Sequence, residues 1–235
     1  MARSRARPAF LAGVGIAVLL GCSGGGGTTG EQTRARESTS PTTKSAELPL
    51  ESPSARPTPS KTGSPPRTAW LTIEDIGVES LRVVPYEGTT DDWPGTRIQN
   101  RGFAASPYGE QGGVGPGEVG NYLVTAHRLS VGGPLRLLPT LHEGDPVVVT
   151  SGGTRYEYEI TDTRTTSFRS ARSLAEQRAA VPGFPGERPT QAMITISTCL
   201  TPEDNAAGNY WRDDRGNPEH RVDKIGVLTS AQSAE

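Results

Sequence analysis

From Trp70 to Leu228 short apolar runs alternate with Gly, Pro, Asn and Asp. The runs are four to eight residues long and rich in β-branched and aromatic side chains, the signature of strands bounded by turns. Residues 71–78 and 81–84 read as the first strands, and residues 121–126, 146–150, 155–161, 192–198 and 221–228 as those that follow. Tyr156, Tyr158 and Ile160 alternate with Arg155, Glu157 and Glu159, so that segment shows one face to a core and one to solvent. Helix formers are concentrated in residues 170–180, ahead of Pro182, and residues 134–141 allow a turn or two before Gly144. Seven or eight strands with one or two short helices make a mainly β chain, best closed or nearly closed into a barrel.

The pattern is different before Trp70. Arg3, Arg5 and Arg7 precede an apolar stretch from Ala9 to Leu20. At about a dozen residues it is short for a membrane span, which needs about 20, and it fits an export signal. It ends in Leu19-Leu20-Gly21-Cys22, which resembles a bacterial lipobox. That resemblance implies cleavage before Cys22 and lipidation of its sulfur, with an uncleaved signal anchor as the other reading. Residues 23–67 are Gly, Ser, Thr, Pro and charged residues with almost nothing large and apolar. Such a segment cannot offset its ordering entropy by burial, so it reads as a disordered spacer. The expected organisation is residues 1–22 signal or anchor, 23–67 spacer, 68–230 a single catalytic domain and 231–235 a tail. This places the domain on the extracytoplasmic side of a membrane, tethered through its N-terminus.

The formal charge of -2 with 24 basic and 26 acidic residues argues against nucleic acid as a partner. The chain has two cysteines, and with Cys22 in the signal, Cys199 is left without a partner. An unpaired thiol in an exported chain is either a buried structural residue or a nucleophile. Cys199 closes the run Met193–Thr198, His127 closes the run Tyr122–Ala126, and Arg221 opens the last run. Three residues at strand ends can converge from distant sequence. Attack on an amide by a thiolate needs a proton donor for the leaving amine and a positive group near the oxyanion, and Cys199, His127 and Arg221 supply these.

Thr195-Ile-Ser-Thr-Cys199, the histidine ending an earlier strand and the arginine opening the last one resemble the sortase family. Residues 121–138 followed by Leu141-His-Glu-Gly-Asp-Pro-Val-Val-Val149 are similar to the sortase region around its histidine. Among its branches the actinobacterial class E type is the most similar. The resemblance spans roughly Trp70 to Leu228. It implies an eight-stranded barrel and a cysteine transpeptidase, and no cofactor is expected. Its partners would be exported proteins bearing an LPXTG- or LAXTG-like sorting signal, and an amine on a peptidoglycan precursor or a pilin. It implies a thioacyl intermediate on Cys199, proton transfer by His127, oxyanion stabilisation by Arg221 and a hydrogen bond from Thr198 to substrate or oxyanion. A lipobox in place of an anchor helix, and the long segment from Cys199 to Arg221, depart from the commonest family pattern.

Several residues compete for these roles. Arg212 and Arg215 are weaker stand-ins for Arg221, and Tyr210 and Trp211 are placed either to touch substrate or to pin the loop. His142 reads as solvent-exposed and His220 as the end of a loop. No histidine shows metal-ligand spacing with Cys199, and Glu203, Asp204, Asp213 and Asp214 lack EF-hand spacing. Two other classes stay open: a thiol hydrolase with the same residues and no amine acceptor, and a catalytically idle binding barrel.

Overall fold

The computed structural model describes residues 65–234. The expected signal, Cys22, the spacer as far as residue 64 and the final Glu235 lie outside the described residues. Eight strands close into a barrel in the order β1-β2-β3-β4-β7-β8-β6-β5. They are β1 (Ala69–Ile73), β2 (Val78–Glu87), β3 (Ala104–Tyr108), β4 (Gly120–Thr125), β5 (Pro146–Ser151), β6 (Thr154–Ser167), β7 (Ala192–Cys199) and β8 (His220–Ser233). The β2–β3 and β4–β7 pairs are parallel and the rest antiparallel.

The barrel interior is apolar. Leu71, Ile73, Val83, Tyr122, Val124, Val147, Val149, Tyr158, Ile160, Ile194 and Ile196 are all buried within one cluster. Leu135, Leu138 and Leu141 close one end from the β4–β5 connection, so the expected turn there forms as a 3-10 turn at Leu138–Thr140. Because side chains alternate along a strand, the residues between these inward ones face outward, and on β4, β7 and β8 the outward row carries the site.

Several local elements differ from the sequence reading. The run 71–78 is broken at Glu74–Ile76 by a 3-10 turn that ends on Gly77 in the left-handed region, φ +67. Three α-helices occur among the described residues. α2 (Ala171–Arg178) is the expected one, started by the Ser170 side chain accepting from the Ser173 N–H. α1 (Trp93–Gln99) and α3 (Thr201–Ala206) fall where the sequence reading has only loop. Asp92 caps α1 by accepting from the Gly95 N–H, with a proline at the start of the helix. A side chain at Gly95 would run into the Tyr86 hydroxyl, so the absence of one lets α1 lie close on β2. β3, Ala-Ala-Ser-Pro-Tyr, has small residues and a proline in place of a β-branched run, yet four of its five residues are buried. Parallel pairing with β2 sets it in the wall.

Candidate active site

The outward row at the open end of β4, β7 and β8 is fixed by strand register. Cys199 ends β7 and lies directly opposite Arg221 on β8. β4 and β7 run parallel with Thr125 beside Ser197, so two residues on, His127 falls level with Cys199. Thr198 points the other way, into the barrel, and its hydroxyl donates to the Ala126 carbonyl at 2.8 Å. That bond and the Ala126 N–H to Ser197 carbonyl bond tie together the ends of the two strands that carry His127 and Cys199. The three residues singled out from sequence therefore form one row, and Thr198 holds it from below.

Arg221 is the largest fully buried side chain, 1% exposed. It is ion-paired with Asp91, which is itself 4% exposed, and its guanidinium lies 4.5 Å from the centre of the Phe168 ring. Its Nε finds no hydrogen-bond partner among the described residues, leaving a buried donor on the Cys199 row. Burial pulls the guanidinium's pKa down, but the charge of Asp91 and the neighbouring Cys199 outweigh this, so it stays a fixed cation. Burial pushes the Cys199 thiol up to about 11, with Arg221 pulling it down and Asp91 adding to the rise. His127 is half-buried and held below its ordinary 6.5 by burial, against an opposing pull from Asp91. Its Nε2 lies 2.7 Å from the Asn100 side-chain oxygen. With that oxygen accepting, Nε2 carries the proton and Nδ1 is the basic nitrogen. At neutral pH the pair is thus a thiol beside a neutral imidazole.

Asp91, Asn100 and Asn217 are the neighbours that sequence reasoning missed. Asp91 precedes the cap of α1 in the left-handed region, φ +59, and Gln99 donates to it at 3.2 Å. Asn100 follows α1 directly. Asn217, late in the β7–β8 connection, places its side-chain oxygen 3.9 Å from Cys199 Sγ. The Asp-Asp-Trp-Pro run carries a cap-and-proline helix start that the sequence reading passed over, and nothing in it says that the first Asp turns towards Arg221.

The surrounding loops are held by polar contacts. Arg128 binds Glu203 through two bonds of 2.5 and 2.9 Å, linking the residue after His127 to α3, just after Cys199. His220 Nδ1 lies 2.7 Å from Asp204, while His142 has an exposed side chain. Arg215 pairs with Asp213, and Arg212 with Asn205, so both alternatives to Arg221 are engaged within their own loop. Gln177 of α2 reaches under the row to Asp223 at 2.7 Å and Ser197 at 3.1 Å, and Thr90 donates to it at 3.0 Å. A cleft of about 350 Å³ opens beside Arg221, lined by Thr90, Asp91, Phe168, Leu174, Arg178 and Trp211 among others. Trp211 thus faces a cavity, with Arg169 5.9 Å over its ring.

A closed barrel of this strand order is also what comparison with known proteins finds. A family model described as "Sortase domain" matches residues 71–211, and the chain belongs to the sortase family. Solved structures with the same fold include the SrtA sortase from Actinomyces oris, 19% identical, covering 76% of this chain and 88% of that one with a TM-score of 0.54. Sortase E from Streptomyces avermitilis is 24% identical, covering 72% and 91%, with a TM-score of 0.51. Sortase E1 from Streptomyces coelicolor, solved with a tripeptide in the active site, is 20% identical over the same shares, also at 0.51. A comparison with curated proteins gives no match.

Proposed function

We propose that this sortase cleaves a C-terminal sorting signal of exported proteins, of LPXTG or LAXTG type, and passes the acyl group to an amine. The observation that carries the reading is the row itself: Cys199 opposite Arg221 across β7–β8, with His127 level on β4. The cleft beside Arg221 and Trp211 is the place for the signal peptide. Cys199 gives its thiol proton to Nδ1 of His127, and Sγ attacks the carbonyl carbon of the signal's Thr, forming a C–S bond. Arg221 Nε, a buried donor without a partner, donates to the developing oxyanion. His127 gives a proton to the leaving amine as the C–N bond breaks, which leaves a thioacyl enzyme. The incoming amine then attacks, His127 takes its proton and passes it to the departing sulfur as the C–S bond breaks, and the Cys199 thiol is restored.

Both groups are neutral at rest, so the thiolate is a minor species. A thiol near pKa 11 is ionised in roughly one molecule in ten thousand at pH 7. Thr198 is assigned to holding the strand ends in register, since Ala126 already takes up its hydroxyl. Tethering through Cys22 or the apolar N-terminal segment belongs to this proposal. Among the described residues no helix is long and apolar enough to cross a membrane.

The test incubates the full chain with LPXTG- and LAXTG-type peptides and a glycyl amine, and reads products by mass spectrometry against Cys199→Ala. A ligated product that the variant does not make is the expected result. Cleavage without ligation makes the chain a hydrolase, and no reaction with a wide signal library removes the proposal.

A further inference from the structure

Four of the eight large apolar side chains that stand exposed among the described residues lie on two segments that meet beside His127. Trp93 on α1 is 51% exposed, and Leu129, Val131 and Leu137 on the β4–β5 connection are 44%, 50% and 50% exposed. Asn100 holds His127, and the Val131 side chain lies 3.4 Å from where a Cβ on Gly102 would stand. The connection is closed at its base, where the Leu135 N–H donates to the His127 carbonyl at 3.2 Å. At its tip Val131, Gly132 and Gly133 all have left-handed backbone, φ +51, +84 and +62. A β-branched residue is poorly suited to that region. Val131 is also exposed, so packing within the barrel does not offset the strain, and such outliers mark functional segments.

The same face is cationic. Residues 93–109 and 119–142 contain no acidic residue, although the chain has 26 acidic residues against 24 basic. Arg97 and Arg101 share a side of α1, and Arg136 lies between Leu135 and Leu137. All three are exposed, and no carboxylate pairs with any of them among the described residues. Arg128, in the same stretch, is by contrast taken up by Glu203.

Resting on the reading of the chain as exported and membrane-tethered, we propose that this face docks on an anionic bilayer surface. Leu129, Val131 and Trp93 enter the headgroup layer, where indole and aliphatic side chains are favoured. Arg97, Arg101 and Arg136 meet the lipid phosphates. A bilayer offers the anionic layer and the apolar layer together, whereas a second copy of the chain would set these cations against each other. Residues 23–64 allow a reach of up to about 140 Å, so a tether at Cys22 does not by itself fix how the barrel meets the membrane. Docking through the loop after β4 brings the His127 side of the Cys199 row to the lipid surface.

The experiment uses the full chain with Cys22→Ser and Cys199→Ala, so that one introduced cysteine takes an environment-sensitive fluorophore. Ser130→Cys places it at the loop tip between Leu129 and Val131, and Gln232→Cys at the far end of β8. Both are read on vesicles of phosphatidylcholine alone and mixed with phosphatidylglycerol. At position 130 a blue shift and quenching by nitroxide-labelled lipid are expected on the mixed vesicles only, and at position 232 neither. Each arginine close to an anionic surface contributes about fivefold, so Arg97→Gln/Arg101→Gln/Arg136→Gln lowers the ratio of buried to exposed probe by about a hundredfold. High salt has the same effect with the arginines in place, which separates loss of docking from loss of fold. An unshifted probe at position 130 overturns the proposal, whether or not the chain sediments with the vesicles through its N-terminal segment. So does an equal shift at both positions, or an equal shift on neutral vesicles. A shift that grows with protein concentration in the absence of lipid also overturns it and marks a contact between copies. No peptide is turned over, so failure here leaves the transpeptidase reading untouched, and failure of peptide transfer leaves the docking surface untouched.

Discussion

Asp91→Asn keeps the shape of the side chain and removes one buried charge beside Arg221. Deleting one member of a buried ion pair costs about 3–5 kcal/mol, because the partner is left uncompensated. For a domain of this size a loss of about 3 kcal/mol lowers the thermal midpoint by about 6–12 °C. The same substitution acts on Cys199 in the opposite sense. Asp91 is among the charges that hold the thiol up near 11, while Arg221 pulls it down. Without Asp91 the guanidinium lacks its carboxylate, and the thiolate across the β7–β8 pair becomes its natural counter-ion. Burial is the larger cause of the raised thiol and is left in place, so the pKa falls only part of the way back.

The linkage then has a definite sign. In the wild type the folded thiol has a raised pKa, so its contribution to stability is present below the unfolded value, near 9, and is lost as pH rises through about 11. In Asp91→Asn that loss is smaller, so the stability gap between the two proteins narrows from pH 9 to pH 11. The assay is the rate of iodoacetamide alkylation of Cys199 against pH, in a Cys22→Ser background, alongside thermal melts. An alkylation midpoint below that of the wild type, with a lower thermal midpoint at pH 7, is expected. A midpoint equal to or above the wild type's would mean that Asp91 does not set the charge on the nucleophile.

Three further outcomes follow from the same geometry. The kcat/KM for transfer should rise with pH through the lowered pKa of His127, below 6.5, and fall only near 11, where Cys199 ionises; a pH series with a rising limb above 7 contradicts this. Asn100→Ala frees Nε2 of His127 and should lower kcat about tenfold with little change in KM, part of what a positioned acid/base contributes. Nitrogen NMR of the imidazole should show a mixed tautomer, and a single unchanged tautomer would refute the role. Gln177→Leu strips Asp223, Ser197 and Thr90 of a shared buried partner and should cost about 2–4 kcal/mol in urea unfolding. A cost under about 0.5 kcal/mol would show that the network does not hold α2 to the barrel.

The barrel strands and the three strand-end residues could be read directly because each carries its own local signal. β-branched runs mark β4, β5 and β7, and the alternation of Tyr156, Tyr158 and Ile160 marks β6. β3 carries no such mark: Ala104, Ala105, Ser106 and Pro107 are buried by their neighbours and become a strand only through pairing with β2. The partners of the Cys199 row were hidden for a similar reason. Asp91 reaches Arg221 across 130 positions of sequence and Asn100 reaches His127 across 27. Both depend on where α1 settles against β2, which Gly95 and the Tyr86 hydroxyl decide at close range. Thr198 shows the converse case. The family resemblance implies a hydrogen bond from its backbone or hydroxyl to substrate or oxyanion, and strand alternation turns the hydroxyl inward to Ala126.

The central claim, that Cys199 is acylated by a sorting peptide, is most directly tested by trapping the intermediate. The full chain is mixed with an LAXTG- or LPXTG-type peptide without amine, quenched in acid within seconds and digested for mass spectrometry. The account predicts a peptide containing Cys199 that carries the mass of the signal up to its Thr, is released by hydroxylamine and is absent from His127→Ala. Turnover of the peptide with no adduct at Cys199, or with the adduct on any other residue, would contradict it.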